Sequence, residues 1–260
     1  MITGNTASGT FYVFNNKEQS IPIVFVHGVG LTYEIWQPQL DFFKDYSNLS
    51  YDILGHGKSS LTKQNISFND FSDQLIELIN ELKIEKIHLV GFSIGSLVAR
   101  NFATRYGERL RSLILLGSIY KRSEQQQKIV NERFNQAKKE LKLSRQALKR
   151  WFTDKYLENN PGTYEKISSI LSGNNMANFL KVYELFVKHK NDEDFEKIQT
   201  KTLIMTGEHD IGSTIEMSQE LKGIIENSEL KIVQGGKHLC GIECADDVNL
   251  TIKNFIDKNE

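Results

Sequence analysis

Short runs of apolar, largely β-branched residues recur along this chain, separated by stretches whose apolar positions fall three and four apart. The runs occupy residues 11–14, 21–26, 51–54, 87–90, 113–116, 202–205 and 230–233. Each is short and bounded by turn-forming residues, so each predicts a strand. Residues 68–82 place Phe68, Phe71, Leu75, Leu78, Ile79 and Leu82 on one helical stripe, with Asn69 or Asp70 as the expected cap. A further helix is expected over residues 97–106. Strands alternating with helices predict an α/β fold: a mostly parallel sheet with helices on both faces.

The strand pattern stops after Gly117 and resumes near Lys201. Between them lie glutamine-, lysine- and asparagine-rich helical patterns with three apolar stripes. These are Ile129, Val130, Phe134, Ala137 and Leu141; Trp151, Phe152, Tyr156 and Leu157; and Phe179, Val182, Tyr183, Phe186 and Val187. The stripes are expected to pack mostly on one another. The expected organisation is a core built from residues 1–118 and 196–260 with a helical cap, residues 119–195, inserted into it.

Charge adds a second contrast. The whole chain carries 32 Lys and Arg against 33 Asp and Glu, a balance that points to neither nucleic acid nor an anionic membrane. The insertion has fifteen basic and ten acidic residues, whereas the remainder has seventeen and twenty-three. Arg122, Lys128, Arg133, Lys138, Lys139, Arg145, Lys149 and Arg150 therefore favour an anionic substrate or an acidic carrier protein, unless they form an ordinary solvated helical face. With no basic leader, no long apolar span and only two cysteines, Cys240 and Cys244, a cytoplasmic protein with buried or half-buried thiols is expected.

The chemistry is concentrated where strands end. Gly91-Phe92-Ser93-Ile94-Gly95 joins a predicted strand to a predicted helix, and glycines two residues either side of a serine permit the tight corner of a nucleophile elbow. An activated serine needs a base and a group that orients the base. Thr206-Gly207-Glu208-His209-Asp210 follows one later strand and Gln234-Gly235-Gly236-Lys237-His238 the next. Ser93 is thus the expected nucleophile, His238 the base and Asp210 its orienting acid; His56 and His209 are weaker candidates for the base, and Glu208 for the acid. The expected oxyanion donors are the amides of Ile94, which follows the nucleophile, and Val29, in the glycine-flanked loop after residues 21–26. His27 is expected to brace that loop. Tyr33, Trp36, Phe92 and Trp151 are expected pocket walls, although both tryptophans also read as core residues. The histidines show no metal-ligand spacing. Gly57-Lys58-Ser59 lacks the upstream glycine of a phosphate loop, Asp52 standing in its place, and Tyr33 occupies the third glycine position of a dinucleotide fingerprint. No metal or other cofactor is expected.

With these motifs, His27-Gly28-Val29-Gly30, the segment from Asp52 to Ser59, and His238 followed by Glu243, the chain resembles the α/β-hydrolase superfamily over nearly its full length. The order Ser, Asp, His along the chain is the one that superfamily uses. The resemblance implies an eight-stranded sheet, a cap inserted after the sixth strand, and an acyl-enzyme mechanism without a cofactor. Gly28-Val29-Gly30-Leu31, Glu34 and Trp36 resemble the esterase and enol-lactonase branch, which includes carrier-protein methyl ester esterases. Ser96, Lys237 and Ala245 depart from residues usual there, glycine, glycine and proline. The expected activity is hydrolysis of a small carboxylic ester or lactone. Two alternatives are a slow-turnover small-molecule receptor on the same fold and a carbon–carbon bond hydrolase; serine rather than aspartate at the elbow argues for acyl chemistry.

Overall fold

A computed structural model describes residues 1–17, 20–139, 145–191 and 194–260. Its eight strands are β1 (Ile2–Asn5), β2 (Phe11–Asn15), β3 (Ile23–Val26), β4 (Asn48–Tyr51), β5 (Ile87–Phe92), β6 (Leu110–Leu116), β7 (Thr202–Gly207) and β8 (Ser228–Val233). They form one sheet in the order β1-β2-β4-β3-β5-β6-β7-β8. β2 runs antiparallel to both β1 and β4, and every other neighbouring pair is parallel.

The central strands β3, β5 and β7 are buried along their whole length, which is why they read as unbroken apolar runs rather than alternating ones. Their side chains nevertheless divide by parity between two layers. Val24, Val26, Leu89, Leu113 and Leu115 face α2 (Phe68–Glu81) and α3 (Ile94–Tyr106), while Ile23, Phe25, Val90, Ile114 and Leu116 face α1 (Gln37–Phe42) and α11 (Ala245–Lys258). In α2, Phe71, Leu75, Leu78 and Ile79 are buried, each contributing about 1.5–3 kcal/mol. Its N-cap is Ser67, two or three residues earlier than expected, and Asp70 accepts hydrogen bonds from the Ser67 N–H and hydroxyl, both at 2.8 Å.

Two strands differ from the expected pattern. β1 is an exposed edge strand with a single large apolar residue, Ile2, and so carries no hydrophobic signature. β4 covers Asn48–Tyr51 rather than residues 51–54. Its two polar positions are buried; Asn48 Nδ2 donates to the carbonyls of Phe43 at 2.8 Å and Tyr46 at 3.2 Å. The apolar Ile53 and Leu54 lie beyond the strand, where their amides donate to His27 Nε2 and Gln74 Oε1, each at 3.0 Å. Buried hydrophobicity in a loop had extended the apparent strand in the wrong direction.

Between β6 and β7 the chain forms α4 (Glu124–Lys139), α5 (Arg145–Trp151), α6 (Asp154–Asn159), α7 (Thr163–Ser172) and α8 (Met176–Val187). The first and third stripes meet each other, with the Phe134 and Tyr183 rings 5.3 Å apart, whereas the second joins a core layer. Among the described residues, Val130 and Phe134 of α4 with Val187 of α8, flanked by Leu180, Tyr183 and Phe186, make a separate cluster. Leu148, Phe152, Ile167 and Ile170 join one core layer and Val182 the other. Leu141 and the side chain of Arg145 fall outside what the structure describes. The remaining helices, α9 (Ile215–Ile224) and α10 (Cys240–Glu243), follow β7 and β8. No helix among the described residues is long and apolar enough to cross a membrane.

Candidate active site

The parallel strands β3, β5, β6, β7 and β8 end on one edge of the sheet, so the loops that follow them meet there. Ser93 sits immediately after β5 and immediately before α3, with φ 55° and ψ −118°, a strained conformation for a residue other than glycine. The strain is held by packing. A methyl group on Gly91 would lie 2.3 Å from the Gly95 carbonyl oxygen, and one on Gly95 would lie 2.3 Å from that of Val26; both glycines are required for the corner to press against β3. Ser96 donates its hydroxyl to the Ser93 carbonyl at 2.5 Å, so the side chain at this unusual position adds a brace to the turn.

His238 reaches Ser93 from the loop after β8. Its Nε2 lies 3.2 Å from Ser93 Oγ, and its Nδ1 lies 2.6 Å from Asp210 Oδ2. Asp210, after β7, accepts hydrogen bonds at Oδ1 from the amides of Gly212 at 2.8 Å and Ser213 at 3.0 Å, which fixes the carboxylate and leaves Oδ2 for the imidazole. A carboxylate at Nδ1 requires the proton there, so Nε2 is the acceptor for the serine hydroxyl. Ser213 is itself held, donating to the Gly117 carbonyl at 2.8 Å while its own carbonyl accepts from Thr206 Oγ1 at 2.6 Å. The Phe92 ring packs 4.9 Å from the His238 ring.

Two amides near Ser93 lack protein acceptors among the described residues. Ile94 opens α3, where the first N–H has no intrahelical partner. In the loop after β3, the Gly30 amide donates to His56 Nε2 at 2.8 Å and the Leu31 amide to the Gly28 carbonyl at 3.2 Å, leaving that of Val29.

His27 and His56 shape this loop and stand apart from Ser93. His27 donates from Nδ1 to the Gly28 carbonyl at 2.8 Å and accepts from Ile53 at Nε2, and burial pushes its pKa down to about 4. His56 falls to about 3, through burial first and then the neighbouring His27. Both are neutral braces. His209 is exposed beside Glu208, and Glu208 accepts from the Gly235 amide at 2.8 Å, so neither replaces His238 or Asp210 in this arrangement.

Residues 21–243 match the α/β hydrolase fold family. The chain belongs to that family. Among its relatives, an (E)-2-((N-methylformamido)methylene)succinate hydrolase of Acinetobacter baylyi is 26% identical over 239 residues, covering 91% of this chain and 90% of the relative. A 3-oxoadipate enol-lactonase of the same organism is 24% identical over 222 residues, covering 85% and 83%. The crystal structure of an enol-lactonase from Burkholderia xenovorans superposes with a TM-score of 0.89 at 22% identity, covering 98% of this chain and all of the other. This α/β hydrolase is thus similar to lactonases and other hydrolases along nearly its whole length.

A groove of about 520 Å³ opens over Ser93 and is lined by Val29, Phe92, His238 and Trp151 among others. Of the four expected wall residues, Phe92 and Trp151 line this groove. Tyr33 and Trp36 do not. Trp36 is 1% exposed, its ring 5.0 Å from Phe25 and 6.4 Å from Phe92, and it supports the pocket wall from behind. Tyr33 packs 5.4 Å from Phe11 and faces a different depression beside Asp52 and Lys166, because its amide is drawn to Asp52 Oδ1 at 2.9 Å.

Besides Trp151 of α5, the insertion lines the groove with Arg133 from α4, Arg150 from α5 and Tyr183 from α8; sequence patterns assigned no pocket role to Tyr183 and did not place the two arginines beside Ser93. It is also tied to the histidine loop. The Leu239 amide donates to the Trp151 carbonyl at 3.0 Å and Lys237 Nζ to the Lys149 carbonyl at 2.6 Å. Glu243 accepts from the amides of Thr153 at 2.9 Å and Lys237 at 3.2 Å, and from the Thr153 hydroxyl. Lys237, unusual in sequence, thus has a structural contact to the insertion, and Ala245 takes the first position of α11.

Proposed function

We propose that this protein is a serine hydrolase that cleaves a small-molecule carboxylic ester or lactone through an acyl-enzyme. The observation that carries the reading is the chain of contacts from Asp210 through His238 to Ser93, set beside two amides with no acceptor among the described residues. Ser93 Oγ attacks the carbonyl while His238 Nε2 takes its proton, and Asp210 orients the imidazole and stabilises the imidazolium that forms. The amides of Val29 and Ile94 hold the developing oxyanion. As the tetrahedral intermediate collapses, His238 returns the proton to the leaving oxygen. In an ester that oxygen departs with the alcohol; in a lactone it stays tethered to the acyl group. Water, deprotonated by His238, then attacks the acyl-enzyme, and Ser93 recovers its proton.

Residues 119–195 act in this reading as a cap that walls the groove, over a core of residues 1–118 and 196–260. The names of the relatives, an enol-lactonase and a substituted-succinate hydrolase, support an acyl substrate of modest size. The test is labelling with a fluorophosphonate, followed by a panel of esters and lactones assayed with the parent and Ser93→Ala. Labelling at Ser93 and turnover that disappears in Ser93→Ala are expected. Near-parental turnover in Ser93→Ala would overturn the proposal.

A further inference from the structure

The groove over Ser93 shares a wall with a second cleft of about 670 Å³, both being lined by Arg133, Arg150, Trp151 and His238. Arg122 lines the second cleft as well. Three arginines from separate parts of the insertion thus gather beside the site, and the charges of all three act on the hydroxyl of Tyr183, which lines the groove. The only acidic residue among the described lining of either space is Asp210, and its carboxylate is already engaged by His238, Gly212 and Ser213.

The three arginines differ in what they already do. Arg122 is held by the carbonyls of Phe186 and Val187 at 3.2–3.3 Å and stacks 4.6 Å from the Phe186 ring, so it supplies fixed background charge. Arg133 makes no ion pair or hydrogen bond with any described residue. Arg150 follows Lys149, whose carbonyl is bonded to Lys237, and precedes Trp151, whose carbonyl is bonded to Leu239; its backbone is thereby registered against the His238 loop. Burial pushes the Arg122 pKa down to about 10, and burial followed by the charge of Arg133 lowers that of Arg150. Like charges gathered in a partly desolvated site favour an anion between them, and a planar guanidinium matches a carboxylate with two parallel hydrogen bonds.

We propose that Arg133 and Arg150, with Arg122 behind them, form a carboxylate-recognition subsite beside Ser93, so that the ester or lactone hydrolysed here carries a second, free carboxylate. The assignment rests on the hydrolase reading above and names the substrate class of the same site. The arginines are specificity-determining: they anchor the anionic end and so set the carbonyl against Ser93 Oγ, while the neutral chemistry of the elbow stays independent of them.

The experiment compares a 4-nitrophenyl glutarate hemiester, which bears a free carboxylate, with its methyl-capped neutral counterpart. The parent should prefer the hemiester, and the preference should shrink as ionic strength rises. Arg133→Met and Arg150→Met should each lower kcat/KM for the hemiester by about 10-fold or more, mainly through KM, while the capped ester changes by less than about 3-fold. Arg133→Lys should fall between, keeping the charge without the fork. Equal losses on both esters, or no loss on either, would sink the proposal. Glutarate binding measured calorimetrically on Ser93→Ala separates the two readings, since it needs no turnover. Binding that Arg133→Met abolishes upholds the subsite even if the parent hydrolyses neither ester. Binding unaffected by both substitutions, or no binding at all, removes the subsite even if fluorophosphonate labels Ser93.

Discussion

The strand-end loops around Ser93 and the helical insertion above them face the same groove but are built on opposite principles. The loops are fixed by contacts that tolerate no added atom: a glycine whose missing methyl would sit 2.3 Å from a carbonyl oxygen, a serine at φ 55°, and two buried neutral histidines bonded to backbone. The insertion is fixed by a few side chains, such as Leu148, Phe152 and Val182, seated in the core layers, and otherwise by helix caps, a small cluster and a few bonds to the histidine loop. Catalytic groups must be held within fractions of an ångström, so rigidity belongs at the sheet edge. Groups that select a substrate need only wall the groove with the right shape and charge, and the insertion can vary without disturbing the nucleophile.

The largest contrast is expected in activity. Ser93→Ala or His238→Ala should each lower kcat/KM by about 10⁴–10⁶ with little change in unfolding midpoint, and the double variant should be scarcely worse than either single one. Additive losses, measured on one ester, would show that the two side chains do not act as a unit.

Stability against pH should come next. His27, His56 and His88 are held at about 4, 3 and 4 against an ordinary value near 6.5. In each case burial is the leading cause; the charge of Arg111 further lowers His88. Between pH 6.5 and about 4 the unfolded chain therefore binds more protons than the folded one. The stability these groups contribute is fully present above pH 6.5 and is lost as pH falls, on the order of 2 kcal/mol for each histidine by pH 5. Burial raises the Asp52 pKa and so opposes this trend. Urea unfolding at pH 7 and pH 5 checks the prediction, and His88→Asn should flatten the slope.

Gly95→Ala should destabilise the core by about 3 kcal/mol or more, because the clash is with backbone. Gly162→Ala in the insertion, where an added methyl meets nothing within 4 Å, should shift stability by less than about 0.5 kcal/mol. Comparable effects at the two sites in thermal melts would erase the distinction between the regions. Glu243→Ala leaves the Thr153 and Lys237 amides without their acceptor and should cost about 1–2 kcal/mol locally; hydrogen exchange at those amides should quicken while the amides of β5 stay protected. Asn175→Ala, which removes the cap that accepts from the Asn178 amide at 3.1 Å, should cost about 1 kcal/mol by chemical denaturation, leaving Gly162→Ala as the smallest change.

Much of the sheet was legible because buried parallel strands are written as short apolar runs, and the elbow because its geometry demands glycines at fixed spacing. The places where the reading missed share one cause. β1 has almost no apolar face to advertise, β4 buries Asn48 and Ser50, and Ile53 is buried in a loop; in each case burial was decided by a neighbour distant in sequence. Trp36 and Tyr33 lie three residues apart, and only packing sends one into the core and the other to a separate depression.

The sequence by itself determined the succession of strands, the position of the elbow and the candidates Asp210 and His238, since these depend on residue type and local spacing. It also showed a basic insertion, but not that Arg133 and Arg150 reach the groove of Ser93 while Lys138 lies over the Phe134 ring. That choice belongs to the tertiary structure. The direction a helix face takes is set by the surfaces it packs against, and for α4 and α5 those surfaces come from parts of the chain that no local pattern connects.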